Sequence, residues 1–331
     1  MKEKILVTGA SGFVGSWITK FLIDQGHQVK VLARKNSDLS ELNGLDYELS
    51  IGDVTDLESF NKAAKNVNSI FHLAGVVGYA KNMRPLMEKV NVEGTQNAIE
   101  VCKQNQLSRM LYFSSVTAIG AGFNKNQILN EDSPYNVAHL NLGYFETKHR
   151  AEQLVVNAVK KGEIDAALVN PATIYGPGDA KKGSRKTQLK VAQGRFPIYS
   201  SGGVNIISIH DLLPATYAAW RSGAPGERYI LAGENITIKE LFNIIAEEAG
   251  VSPPWLYLPN FVVHALGNLG DFMEKFDKKG PLTSENAWTS TMFHWFDNSK
   301  AKKELNLKPR PAKQAIAESI QWVKENLLIN Q

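Results

Sequence analysis

The chain has 331 residues, 43% of them hydrophobic, enough to bury a core as one large or two modest domains. Net charge is +4 with the basic residues scattered, which leaves no nucleic-acid footprint. The single cysteine, Cys102, excludes an intrachain disulfide framework, and no metal site is expected.

The N-terminus, MKEKILVTGASG, enters a strand pattern at once, with no charged-then-apolar leader, and a soluble cytoplasmic protein is expected. The strand KILVTG runs straight into TGASGFVG, where Gly9, Gly12 and Gly15 open a helix and Phe13 and Val14 belong to the same cradle. Glycine there lets backbone approach a pyrophosphate, whose charge then sits at a helix N-terminus. The spacing is GxxGxxG, not the commoner GxGxxG. The second strand, QVKVLA, ends at Arg34 and Lys35. There, about 20 residues past the glycine loop, an NAD enzyme typically carries an acid. Two cations instead suit a 2'-phosphate, so NADP(H) is favoured over NAD(H).

Next come GDVTD, with Asp53 and Val54, and the strand SIFHLAG, ending in Ala74 and Gly75. NVEGT, with Asn91, enters a helix in which Cys102 reads as a small buried hydrophobe. The strand RMLYFSS ends in Ser114 and Ser115; their side chains alternate, and Ser115 is the candidate ligand. In YFETK, Tyr144 and Lys148 stand four apart and share a helix face. A cation beside a phenol lowers its pKa from about 10, as a general acid for a carbonyl oxygen requires. The strand DAALVNPA then leads into NPATIYGPGD. His72 and His210 fall in strand-like runs and read as core histidines with backbone partners.

Strand and helix alternate to residue 175, which predicts an α/β fold of Rossmann type: a doubly wound parallel sheet over 1–175. Beyond it lies a smaller, irregular α/β substrate domain, 176–331, from which segment 204–222 is expected to return to the main sheet. The apolar stretch WLYLPNFVVHALGNLGDF is interrupted short of the roughly 18 residues of a membrane span. A helix over a substrate pocket is preferred there to contact with a membrane surface.

In this order and spacing the motifs resemble the extended short-chain dehydrogenase/reductase family over nearly the whole chain. The nearest branch holds dihydroflavonol reductases, 3β-hydroxysteroid dehydrogenases and so-called hopanoid-associated sugar epimerases; GERYILAGENITIKEL and FDNSKAKKELNLKPRP add to the match. The resemblance implies that Gly9, Gly12 and Gly15 wrap the pyrophosphate, Asp53 and Val54 hold adenine, and Ala74 and Gly75 line the ribose. It implies that Ser115 hydrogen-bonds the substrate oxygen, that Tyr144 exchanges the proton, and that Lys148 lowers the tyrosine pKa and binds nicotinamide ribose. Backbone around Pro171, Ala172, Thr173 and Ile174 would cover the nicotinamide, and Asn91 lies in a stretch that approaches the site. A homodimer through helices 82–104 and 143–161 is the family's habit.

The leading expectation is an NADP(H)-dependent reductase or alcohol dehydrogenase acting on a largely apolar small molecule. The alternative is an NAD-dependent nucleotide-sugar epimerase or dehydratase; a non-catalytic dinucleotide sensor comes third. Nucleotide-sugar members commonly grip the substrate diphosphate with two arginines, and the corresponding neighbourhoods here, SSGGVNIISIHDL and SENAWTSTMFHWFDNSKA, contain none. Trp288, Phe293, Trp295 and Phe296 suggest an apolar substrate body, while KKGSRK is the one basic run that would suit an acidic one.

Overall fold

The computed structural model describes residues 2–180, 185–274, 276, 280 and 282–327. Its strands are β1 (Lys4–Thr8), β2 (Gln28–Ala33), β3 (Glu48–Ile51), β4 (Ser69–His72), β5 (Arg109–Phe113), β6 (Ala166–Pro171), β7 (Thr173–Tyr175), β8 (Ile198–Tyr199), β9 (Gly203–Ser208), β10 (Arg228–Leu231), β11 (Glu234–Thr237) and β12 (Leu256–Tyr257). The helices are α1 (Phe13–Asp24), α2 (Leu57–Ala63), α3 (Arg84–Met87), α4 (Gly94–Gln104), α5 (Gly143–Lys160), α6 (Lys186–Ala192), α7 (Ile209–Ser222), α8 (Ile238–Ala249), α9 (Asn260–Glu274), α10 (Ser284–Thr291), α11 (Ser299–Leu305) and α12 (Ala312–Leu327).

Seven strands form one parallel sheet in the order β10-β6-β5-β4-β1-β2-β3. Side chains alternate along each strand, so the sheet feeds two cores. Ile5, Val7, Val31, Phe71, Leu111 and Val169 face α1 and α7 through Ile18, Leu22, Leu212 and Trp220. Leu6, Ile70, Met110, Tyr112 and Leu168 face α2, α4 and α5 through Phe60, Val101, Cys102 and Val155. Each such side chain contributes about 1.5–3 kcal/mol when fully buried. The sequence reading did not assign β3, an edge strand whose residues are mostly exposed and carry little apolar signal.

The rest of the chain builds a smaller layer. In it β9 pairs with β7 and β11, and the small sheet packs against α6, α8 and α12 through Val204, Ile206, Phe242, Ile245, Ile316 and Ile320. Within segment 204–222, only α7 lies on the main sheet; β9 belongs to the small sheet, and the seventh main strand is the later β10.

One buried carboxylate locks the last strand in place. Glu152 of α5 accepts from Asn170 Nδ2 of β6 at 2.5 Å and from Arg228 Nη1 of β10 at 3.0 Å. Arg228 reaches water only in part, so a lost carboxylate leaves both donors badly served. Glu152→Ala is therefore expected to lower unfolding free energy by about 3 kcal/mol in urea titrations. An unchanged midpoint would show that the lock carries no stability.

Candidate active site

Parallel pairing aligns the carboxyl ends of the strands. Thr8 is level with Leu32 and His72, His72 with Tyr112, and Phe113 with Val169. The segments holding residues 9–15, 34–35, 53–54, 74–75, 114–117 and 171–174 consequently leave the sheet along one edge. In open α/β sheets ligands bind outside that edge, at the point where strand order reverses, here between β1 and β4.

At the first turn, Gly9 has φ +74°, which a side chain would strain, and its missing Cβ would sit 2.8 Å from Ala74 N. A Cβ on Gly15 would strike Gly9 O and lie 2.7 Å from Gly9 C. Helix α1 thus closes onto the turn. Gly12 is its N-cap, with no side-chain cap and no acid in the first turn, so its leading N–H groups suit an anion. This fits the pyrophosphate of a dinucleotide. Beside it Arg34 and Lys35 are exposed, in a turn made by Arg34 N to Ser37 Oγ at 3.1 Å and Ser37 N to Arg34 O at 2.9 Å.

Other predicted residues work on the backbone. Asp53 Oδ1 accepts from Thr55 N at 2.9 Å and Thr55 Oγ1 at 3.0 Å, while Val54 is buried and its carbonyl accepts from Asn97. Ala74 N donates to Thr8 Oγ1 at 3.1 Å, and Gly75 is exposed. Buried Asn91 pins Val76 through its N at 2.7 Å and its O at 3.0 Å, and donates to Thr147 of α5 at 3.2 Å. Its side chain is spent on the protein, which makes it a positioning residue. Ala172 N bonds Leu231 O at 3.0 Å, Pro171 closes β6, and Thr173 and Ile174 begin β7, half-buried.

Ser115 ends the strand edge, its Oγ accepting from Thr117 N at 3.2 Å. Ser114 is buried with its Oγ unpartnered, away from that arrangement. Tyr144 lies in the first turn of α5, and the hydroxyls of Ser115 and Thr117 both favour its ionised form. Burial outweighs them, and the phenol pKa is raised. This corrects the expectation that Lys148 lowers it: the ammonium points elsewhere. Lys148 Nζ donates to Phe113 O at 2.7 Å and lies 5.2 Å from the Tyr112 ring centre. Burial pushes the Lys148 pKa down to about 8, against the pull of Glu152 one turn on.

His72 packs between the Phe60 and Tyr112 rings, at 6.1 and 6.0 Å. Its Nδ1 meets Thr8 Oγ1 at 3.0 Å, and that oxygen already accepts from Leu73 N and Ala74 N. The Thr8 hydroxyl must therefore donate, which leaves the histidine proton on Nε2. Burial, then Lys148, pushes its pKa down to about 3. It is a neutral core residue whose partner is a side chain, not backbone. His210 departs from expectation: it opens α7, edge-on to Trp17 at 5.0 Å and 3.5 Å from Glu318.

Three contributors escaped the sequence reading. Thr117 lies two residues past Ser115, its buried hydroxyl beside the Tyr144 phenol. Tyr79 stands edge-on to Tyr144 at 6.1 Å. Glu285 of α10 accepts from Gly143 N, at the start of α5, at 3.3 Å and is held by Arg84 at 3.1 Å. Thr117 alone had a signal, a hydroxyl just beyond the strand edge; the others meet the site only through space. A cavity of about 330 Å³, lined by Lys81, Arg84, Leu140, Asn141, Ser284 and Glu285, opens behind the start of α5. Of the four aromatics proposed for the substrate, Trp288 packs against the same apolar cluster as Tyr144. Phe293 and Phe296 are core, and Trp295 Nε1 bonds Ile236 O. In KKGSRK, residues 181–184 lie outside the described residues; Arg185 stacks on Tyr175 and pairs with Asp179.

A family model described as the NAD dependent epimerase/dehydratase family matches residues 5–229. Sterol demethylase protein B of Methylococcus capsulatus is 28% identical over 98% of this chain and 99% of its own. A 3-beta-hydroxysteroid dehydrogenase of Mycolicibacterium neoaurum is 27% identical over 96% of this chain and 91% of its own. The crystal structure of gox2253 superposes with a TM-score of 0.86 at 33% identity, covering 98% of both chains. A nucleoside-diphosphate-sugar epimerase from Pseudomonas aeruginosa, at 20% identity and TM-score 0.81, covers 98% of this chain and 99% of its own and shares the fold.

The Lys148 pKa has a measurable consequence. The unfolded chain keeps this ammonium up to its ordinary 10.5, the folded chain only up to about 8. Burial therefore costs stability progressively as pH falls from 10.5 to 8, and in full below 8. Lys148→Met should be the more stable protein at pH 7, by up to about 3 kcal/mol, with the gap closing towards pH 10.5. Thermal melts across that range check it, and a gap that ignores pH would refute the desolvated lysine.

Proposed function

The chain belongs to the NAD dependent epimerase/dehydratase family, and we propose that this NAD(P)-dependent extended short-chain dehydrogenase/reductase is an NADP(H)-dependent oxidoreductase interconverting a ketone and a secondary alcohol on a largely apolar small molecule. The observation that carries the reading is the half-buried Tyr144, its phenol facing the Ser115 and Thr117 hydroxyls beside the cluster of Leu142, Phe145 and Met292. A bound nicotinamide supplies or accepts the hydride. Ser115 then orients the carbonyl oxygen, and the Tyr144 phenol, beside the Ser115 and Thr117 hydroxyls, gives it a proton. Lys148, anchored on Phe113 O at the sheet edge, would hold the nicotinamide ribose. The amides of Phe13, Val14 and Gly15 take the pyrophosphate, and Arg34 with Lys35 takes the 2'-phosphate.

The substrate class rests on charge. A nucleotide sugar brings a diphosphate that needs unpaired cations, and its desolvation goes uncompensated without them. The cations lining the cavity behind α5 are committed, Arg84 to Glu285 and Lys81 to Asp271. The names of the sterol demethylase protein and the hydroxysteroid dehydrogenase also point to apolar ring systems.

Tyr144→Phe should lower kcat for NADPH-linked ketone reduction about 10²- to 10⁴-fold while leaving the NADPH dissociation constant unchanged. More than about a tenth of wild-type turnover would remove the phenol from the chemistry. Arg34→Asp should shift the ratio of kcat/KM values for NADPH and NADH about tenfold or more towards NADH, because a carboxylate then meets the 2'-phosphate. An unmoved ratio would assign phosphate reading to another residue.

A further inference from the structure

Three consecutive residues at the start of α10 each reach across the chain. Thr283 Oγ1 donates to Tyr79 O at 2.6 Å. Ser284 bonds Asp271 of α9 through its N at 3.0 Å and its Oγ at 2.6 Å, and Asp271 is paired with Lys81 at 2.7 Å. Glu285 takes Arg84 at 3.1 Å and the amide of Gly143 at 3.3 Å, both on Oε1. The segment 79–84 after β4 is thus fastened to the start of α10, and Glu285 extends the fastening to α5.

Glu285 sits badly for a residue serving stability alone. It is 3% exposed, and its second oxygen, Oε2, is buried with no hydrogen-bond partner among the described residues. Burial raises its pKa, against the pull of the Gly143 amide and then of Arg84. A half-served buried carboxylate costs stability, which points to a role in what it places. What it places is the residue before Tyr144. The chain enters α5 under constraint: Asn141 is left-handed at φ +51°, and a Cβ on Gly143 would sit 2.9 Å from Arg84 Cγ. The first amides of a helix need an acceptor from outside it, and Leu142 at the N-cap offers none. Glu285 supplies one, from a helix that begins 141 residues further along the chain.

We propose that Glu285 is a positioning residue for the reaction: by holding the Gly143 amide it fixes where the Tyr144 phenol stands against Ser115. It acts through Tyr144 and touches neither substrate nor cofactor. Proton transfer depends on that placement, and a misplacement of about 1 Å costs up to about 10²-fold in rate. The inference rests on the role given to Tyr144 in the reaction proposed above.

The test compares Glu285→Ala and Glu285→Gln in NADPH-linked reduction of whichever of a 3-oxosteroid, a flavanone and a β-keto ester the wild type turns over fastest. Hydrogen exchange is followed alongside at the amides of Gly143 and Tyr144. Glu285→Ala should lower kcat about 10- to 100-fold, leave the NADPH dissociation constant within about twofold and speed exchange at the two amides. Glu285→Gln keeps an oxygen for Gly143 N and Arg84, so it should recover most of the kcat and the slow exchange. Wild-type kcat in Glu285→Ala overturns the inference. So does a lost kcat with unchanged exchange, or a Gln variant as impaired as the Ala one. If Glu285→Ala does not fold, Glu285→Asp keeps the charge but draws the oxygen back by one methylene, and the same results support or overturn. Wild type that reduces none of the three ketones counts against the proposed reaction instead. Exchange at the two amides then decides alone: faster in the variant supports the inference, and unchanged overturns it.

Discussion

Helix α1 crosses the end of β1 so closely that residue 15 has no room for a β-carbon, and the cofactor edge depends on that approach. The helix brings its uncapped N-terminus over the switch point between β1 and β4 because Gly9 turns left-handed and Gly15 lets the helix settle on it. One layer deeper, the Thr8 hydroxyl takes two amides of the loop after β4 and gives its proton to His72. Asn91 takes the Val76 amide of that loop and reaches across to α5. The loop is thereby tied to the first strand on one side and to the tyrosine-bearing helix on the other. Few of these groups would touch a ligand, yet they set where one can sit.

The helix with Tyr144 and Lys148 is held from both lobes. Its start is capped from outside by Glu285 of α10, since Leu142 at the N-cap offers no side-chain acceptor. Its middle is held by Glu152 against β6 and β10. Burial does the electrostatic work between these anchors. It raises the phenol, depresses the ammonium and silences His72, so three titratable groups in one neighbourhood have separate roles.

The parallel sheet was legible because buried strands with β-branched runs and a glycine turn are local patterns. So was the YFETK pair, since helical spacing alone puts two residues on one face. The direction of the Tyr144 shift was not legible: spacing reports proximity, and desolvation depends on everything packed above. His210 misled for a related reason, since NIISIHD continues the apolar run of a strand into the first turn of a helix. Glu285 lies 142 residues beyond the amide it caps and 201 beyond Arg84, which holds it; only the folded chain joins them. Edge strand β3 escaped because exposure had removed the apolar signal by which strands are found.

The Glu152 lock also bears on how the chain comes to be folded. Its carboxylate belongs to the helix between β5 and β6, yet its cation is supplied from 76 residues further on. Until β10 joins the sheet, Asn170 of β6 serves that carboxylate without the arginine. The seventh strand thus brings the cation that completes the burial of a helix packed on the other six.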